Sequence, residues 1–182
     1  MRITVFGSSK PKPGEIDYIN AQQLGRMIAE GGHTVITGGY MGTMEAASQG
    51  AATAGGHVIG ITCEEIERFR NHGPNPWVIE ERRTATLIER LEQLIHSCDA
   101  AIALPGGPGT LVEVALLWNL LVIRAITPRS LVLVGGGWRK VFNQYRDSHG
   151  YYVNEGDWDW VHFADDHAAA YQKAVALNTP EG

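Results

Sequence analysis

Cysteine is nearly absent from this chain: Cys63 and Cys98 are the two in 182 residues. They lack CxxC spacing, so a disulfide framework or a zinc site has little support, and both read as buried or half-buried thiols. The histidines, His33, His57, His72, His96, His149, His162 and His167, show no HExxH or other tight ligand spacing; they read as structural or surface residues, and no metal is expected. An excess of positive charge is also missing. A net charge of −5 and a sequence pI near 5.8 argue against a broad nucleic-acid surface. Apolar stretches are interrupted well before membrane-spanning length, and Met1-Arg-Ile-Thr-Val runs directly into a first strand, so a cytoplasmic protein without a membrane partner is expected. No low-complexity tract or internal array occurs.

What is present is glycine, 22 residues of it, within a chain that is 44% hydrophobic. The length fits one domain, residues 1–182, with a sizeable core. Strand-like runs at 2–6, 34–37, 57–62, 100–104 and 130–135 alternate with helical segments near 14–31, 42–55, 83–97, 110–124 and 137–147, and 164–177 reads as a further helix. That alternation predicts an α/β protein with a central parallel sheet flanked by helices. Between Cys63 and Val78, the turn Gly73-Pro74-Asn75-Pro76 marks a mobile loop or lid, or a surface connection. Trp138, Trp158 and Trp160 mark a ligand or partner surface, or cover core at a domain edge; the second reading is the more usual.

The densest glycine segment is Leu104-Pro105-Gly106-Gly107-Pro108-Gly109-Thr110-Leu111-Val112-Glu113, between the apolar strand 100–104 and a helix. It would lie at a strand's carboxyl end, where open α/β sheets bind ligands. Glycine lets the backbone approach an anion, and free N–H groups at a helix start carry partial positive charge toward it, with no lysine required. Thr110-x-x-Glu113 also fits a capping box, in which Glu113 only caps a helix. The unbroken glycine and proline run exceeds what a cap requires, so ligand binding is the reading adopted.

A second loop of this type, Gly38-Gly39-Tyr40-Met41-Gly42-Thr43, follows the strand 34–37; its glycines serve either a ligand or close strand-to-helix packing. Gly7 and Ser8 follow the first strand, where Ser8 and Ser9 either bond a ligand or start a turn, the turn being the simpler reading.

Pro105-Gly-Gly-Pro-Gly-Thr-Leu-Val-Glu113 resembles the PGGxGTxxE signature of the Lonely Guy-type phosphoribohydrolases, formerly often labelled lysine decarboxylases. Val5-Phe-Gly-Ser-Ser9, Gly38-Gly-Tyr-Met-Gly-Thr-Met44 and the order of elements extend the resemblance over most of the chain. It implies a three-layer Rossmann-like fold and cleavage of the N-glycosidic bond of a nucleoside 5′-monophosphate, giving free base and ribose 5-phosphate without a cofactor. It also implies a homodimer or larger homo-oligomer. Cytokinin ribotides are that family's best-known substrates, and some relatives use AMP.

By the same resemblance, an arginine on the preceding helix works with the motif glutamate, which points to Arg90 and Glu113. Gly7, Ser8, Gly38, Gly39, Gly42, Thr43, Pro105, Gly106, Gly107, Gly109 and Thr110 are the expected substrate-binding residues. The bland alternative for Arg90 is a solvated helix residue paired with Glu89 or Glu92. Arg82 and Arg83 are alternative anion contacts, or a charged helix start. Two departures concern substrate identity: Leu91 stands where lysine is common, and Tyr40 where a third glycine is frequent. Of the chain's lysines, Lys10, Lys12, Lys140 and Lys173, none lies in the two central glycine loops, which disfavours pyridoxal chemistry.

A second function class is a non-catalytic nucleotide or molybdenum-cofactor carrier, whose members resemble this fold. A third is a homo-oligomeric scaffold with the apolar helix 112–123 as interface, an arrangement that would also bring a neighbouring subunit's residues close to the site.

Overall fold

The computed structural model describes residues 1–70 and 73–178; of the expectations above, His72 and part of the 63–78 connection fall outside them. In chain order the elements are β1 (Arg2–Phe6), α1 (Ile16–Glu30), β2 (Thr34–Thr37), α2 (Thr43–Thr53), β3 (Val58–Cys63) and α3 (Glu64–Arg70). They continue with β4 (Glu80–Thr84), α4 (Leu87–His96), β5 (Ala100–Ala103), α5 (Pro108–Val122), β6 (Ser130–Val134), α6 (Gly136–His149), β7 (Val161–Ala164) and α7 (His167–Ala176). Two short 3-10 turns, Gly150–Tyr152 and Glu155–Trp160, join α6 to β7.

The seven strands form one parallel sheet in the order β4-β3-β2-β1-β5-β6-β7. Side chains alternate across it. Ile3, Val5 and Val35 pack with α1, α2 and α7 through Leu24, Ala47 and Ala170. Phe6, Ile36 and Ala101 face α4, α5 and α6 through Leu94, Leu117 and Phe142. Because both faces are covered, the inner strands are largely apolar, with Thr4, Thr37, Thr62 and Ser130 as the buried polar exceptions. The result is the expected three-layer α/β fold of Rossmann type.

The strand order turns at β1, whose neighbours are β2 on one side and β5 on the other, with Thr4 level with both Ile36 and Ala101. The connections leaving β1 and β5 diverge there and open a crevice at their carboxyl ends.

Two strands depart from the sequence reading. Residues 80–84 were expected to lead into a helix from 83, yet Glu80–Thr84 pairs with Ile59–Cys63 as an edge strand. A row of charges along a sheet edge suits the exposed position and discourages further pairing, while erasing the apolar signature of a strand. The opposite edge, β7, is four residues long and interrupted by His162. The connection after β3 is not wholly loop either, because Glu64–Arg70 is helical.

Candidate functional site

At the crevice lies a cavity of about 380 Å³. Gly7, Ser8, Ser9 and Lys10 after β1 form one wall, and Gly107 to Thr110 with Glu113 of α5 form another. Tyr40, Met44, Ile66, Leu87 and Arg90 complete it.

Helix α5 begins two residues earlier than its sequence pattern indicates. Gly107 is the N-cap, with no side-chain cap, and Pro108 occupies the first helical turn. Proline suits that position because its missing N–H would have had no helical acceptor. Thr110 and Glu113 therefore sit inside the helix, both buried, and the capping-box reading fails. Leu111 N–H already bonds Gly107 O, which leaves the Gly109 and Thr110 N–H groups as first-turn donors facing the start of the helix. A Cβ built on Gly107 or Gly109 would meet nothing within 4 Å, so both border open space.

The second glycine loop does a different job. Gly42 has φ +74°, and a Cβ there would lie 2.3 Å from Ser8 O. Thr43 donates to that carbonyl from both its N–H (2.9 Å) and its hydroxyl (3.1 Å), tying the β2 loop to the β1 loop. Gly38, whose carbonyl accepts from Arg90 Nη2 at 3.1 Å, must lack a side chain because a Cβ would stand 1.8 Å from that nitrogen. Gly38, Gly39, Gly42 and Thr43 thus support the cavity from outside its lining. Ser8 reaches the lining, and its hydroxyl accepts from Lys10 N–H in a local turn. Pro105 and Gly106 face a separate cavity of about 250 Å³ beside Trp138, whose indole N–H donates to Leu104 O.

Arg90 and Glu113 come together as the resemblance implies. Arg90 Nη1 lies 3.6 Å from Glu113 Oε1, and the two residues are 5% and 7% exposed. Arg90 is positioned by α4, which starts with a capping box between Thr86 and Glu89, so Glu89 is engaged in the cap. The Arg90 guanidinium also donates from Nε to Ile61 O at 2.8 Å. Burial pushes the Glu113 carboxyl up to about 7, and Arg90 beside it pulls in the opposite direction without prevailing. A carboxyl of that affinity exchanges protons near neutrality.

Arg82 and Arg83 lie on the edge strand β4, away from this cavity, Arg82 paired with Glu80 and Arg83 with Glu64 and Glu67. Met44, Ile66 and Leu87 were not picked out as site residues by the sequence reading, and apolar side chains carry no motif that would flag them. Tyr40 was noted there only as a departure from a glycine. Its ring lies against the Arg90 guanidinium, 5.6 Å from centroid to Cζ. Trp158 and Trp160 pack half-buried against the core, as the second reading of the tryptophans has it. Cys63 and Cys98 are buried free thiols. A larger open depression of about 540 Å³ beside α4 and β4 is lined by groups already engaged, including Arg2 with Asp99 and Glu89 in its cap.

The model of the SLOG cluster4 family matches residues 1–123, a span containing every residue of the cavity lining. The chain belongs to the SLOG cluster4 family. A probable cytokinin riboside 5′-monophosphate phosphoribohydrolase of Oryza sativa is 33% identical over 125 residues, 67% of this chain and 50% of the rice protein. A cytokinin riboside 5′-monophosphate phosphoribohydrolase of Arabidopsis thaliana is 34% identical over 125 residues, 67% of this chain and 57% of that one. The chain thus spans between half and three-fifths of these two plant relatives' lengths. Among solved structures, the molybdenum cofactor binding protein of Rippkaea orientalis superposes with a TM-score of 0.76 at 27% identity, covering 98% of this chain and 97% of its own. In this SLOG cluster4 protein no helix among the described residues is long and apolar enough to cross a membrane.

Proposed function

We propose that this protein hydrolyses the N-glycosidic bond of a nucleoside 5′-monophosphate, releasing free base and ribose 5-phosphate. The observation that carries this reading is the Arg90–Glu113 pair, buried in the same cavity as the open first turn of α5. The phosphate would bind at Gly107, Gly109 and Thr110, where N–H groups and the helix dipole favour an anion. Lys10, across the cavity, adds a cation. The ribosyl carbon would then face Glu113, with the base against Met44, Ile66 and Leu87.

In the reaction the C1′–N bond breaks and its electron pair leaves with the base. Positive charge develops on the ribose, which a carboxylate stabilises. Ionised Glu113 accepts a proton from the attacking water as the water oxygen bonds C1′, and that proton ends on the departing nitrogen, directly or through solvent. A positioned general base contributes roughly 10²–10⁴-fold. Arg90 orients the carboxylate and holds part of its population ionised near neutral pH.

A second reading is a non-catalytic nucleotide or molybdenum-cofactor carrier, which the near-complete overlap with the Rippkaea orientalis protein favours. Incubating the purified protein with AMP and a cytokinin ribotide and assaying free base separates the two. Release supports the hydrolase; binding without release supports the carrier. We also infer self-association, since Leu111 and Val112 of the apolar helix α5, and Ile123 at its C-cap, are exposed.

A further inference from the structure

Tyr40 is buried, 3% exposed, and is held at both ends. Its hydroxyl donates to Cys63 O at 3.1 Å and accepts from Cys63 N–H at 2.7 Å, so one residue at the end of β3 uses both of its capacities. At the other end, Asn75 Nδ2 donates to Gly39 O (3.0 Å) and Tyr40 O (2.9 Å), and Asn75 N–H donates to Gly39 O at 2.7 Å. This fixes the backbone that carries the ring. The ring then presents its face to Arg90, while Nε and Nη2 of that guanidinium are bound to the Ile61 and Gly38 carbonyls. An arginine cation over an aromatic face is attracted to the ring's negative surface, and more strongly when water is excluded.

We infer that Tyr40 is a positioning residue: its ring fixes the Arg90 guanidinium so that Nη1 stays beside Glu113 and tunes that carboxyl's proton affinity. The inference rests on the reading of Arg90 and Glu113 as the working pair. The charged groups around the carboxyl are Arg90 from α4 and, across the cavity, Lys10 from the β1 loop. Glu67 on α3 bears on Tyr40 itself and is paired with Arg83 on β4. Burial raises the Tyr40 hydroxyl above its ordinary range, so it remains a neutral donor at working pH.

The test reads the titration of Glu113 by carbon-13 NMR of the full-length protein, the signal being assigned by its loss in Glu113→Gln. Tyr40→Leu, which keeps an apolar side chain but removes the aromatic face, is expected to raise the midpoint by about one unit, the low end of what an opposite charge at this range supplies. Tyr40→Phe, which keeps the ring, is expected to restore the parent midpoint. Should Tyr40→Leu fail to fold, trifluorophenylalanine in the Tyr40→Phe background weakens the ring's negative face at nearly constant shape and is expected to raise the midpoint. An unmoved or lowered midpoint with either ring perturbation overturns the inference, as does a shift in Tyr40→Phe equal to that in Tyr40→Leu. No turnover is required, so absent base release with a moved midpoint counts against the hydrolase alone, and an unmoved midpoint in an active protein counts against Tyr40 alone.

Discussion

Arg90 Nη1 lies 3.6 Å from Glu113 Oε1, and the cation does not keep the carboxyl in its ordinary range, because loss of water around Glu113 outweighs the attraction. The pair therefore combines two properties that are hard to hold together: a fixed geometry and a proton affinity near neutrality.

The first consequence is kinetic. If ionised Glu113 takes the proton from water, kcat/KM for base release should rise with pH through a midpoint near 7 and level above it. Glu113→Gln should remove the rising limb and lower kcat by roughly 10²–10⁴-fold while leaving nucleotide binding largely intact. A pH-rate profile of both proteins checks this.

Stability should follow the same group with a definite sign. The folded-state value near 7 lies above the unfolded carboxylate value, so the folded protein binds more protons between about pH 4.5 and 7. Glu113 accordingly lowers stability as pH rises across that window. Glu113→Gln lacks this dependence, so its stability relative to the parent should improve by up to about 3 kcal/mol from pH 4.5 to pH 8. Urea unfolding of both proteins at the two pH values measures the difference.

The glycines should separate into two classes. Gly109→Val adds a side chain into open space at the helix start and should leave the melting temperature nearly unchanged while weakening nucleotide binding. Gly42→Ala places a Cβ 2.3 Å from Ser8 O at a positive φ and should destabilise the fold by roughly 1–3 kcal/mol. Thermal melts with titration of AMP distinguish them.

Asn75, 9% exposed, supplies three of the bonds that hold the Gly39–Tyr40 backbone. Asn75→Ala should cost roughly 2–3 kcal/mol, about one for each bond its side chain makes to Gly39 O, Tyr40 O and Trp77 N–H, while Gly39 O keeps the backbone N–H of residue 75 as donor. Chemical denaturation reads it directly.

Much of this fold was legible because buried parallel strands are written in apolar and β-branched residues: Arg2–Phe6, Thr34–Thr37 and Ala100–Ala103 carry their own signature. Glu80–Thr84 was not legible, since an edge strand takes its stability from pairing with β3 and wears charges for solvent. The start of α5 was placed near 110 because the glycine and proline run 105–109 reads as a turn, whereas Pro108 already starts the helix. Arg90 and Glu113 were reached through a motif. Ile66 and Leu87 were not, because what makes them cavity walls is the approach of α3 and α4 to the crevice, a tertiary event with no local code.

Hydrolysis at the Arg90–Glu113 pair is tested by release of free base from AMP and a cytokinin ribotide by the purified protein and by its Glu113→Gln variant. Release by the parent and its near loss in the variant, with both still binding nucleotide, is the expected result. No release by the parent from any nucleoside 5′-monophosphate, despite binding by both proteins, would contradict it and leave the carrier reading in its place.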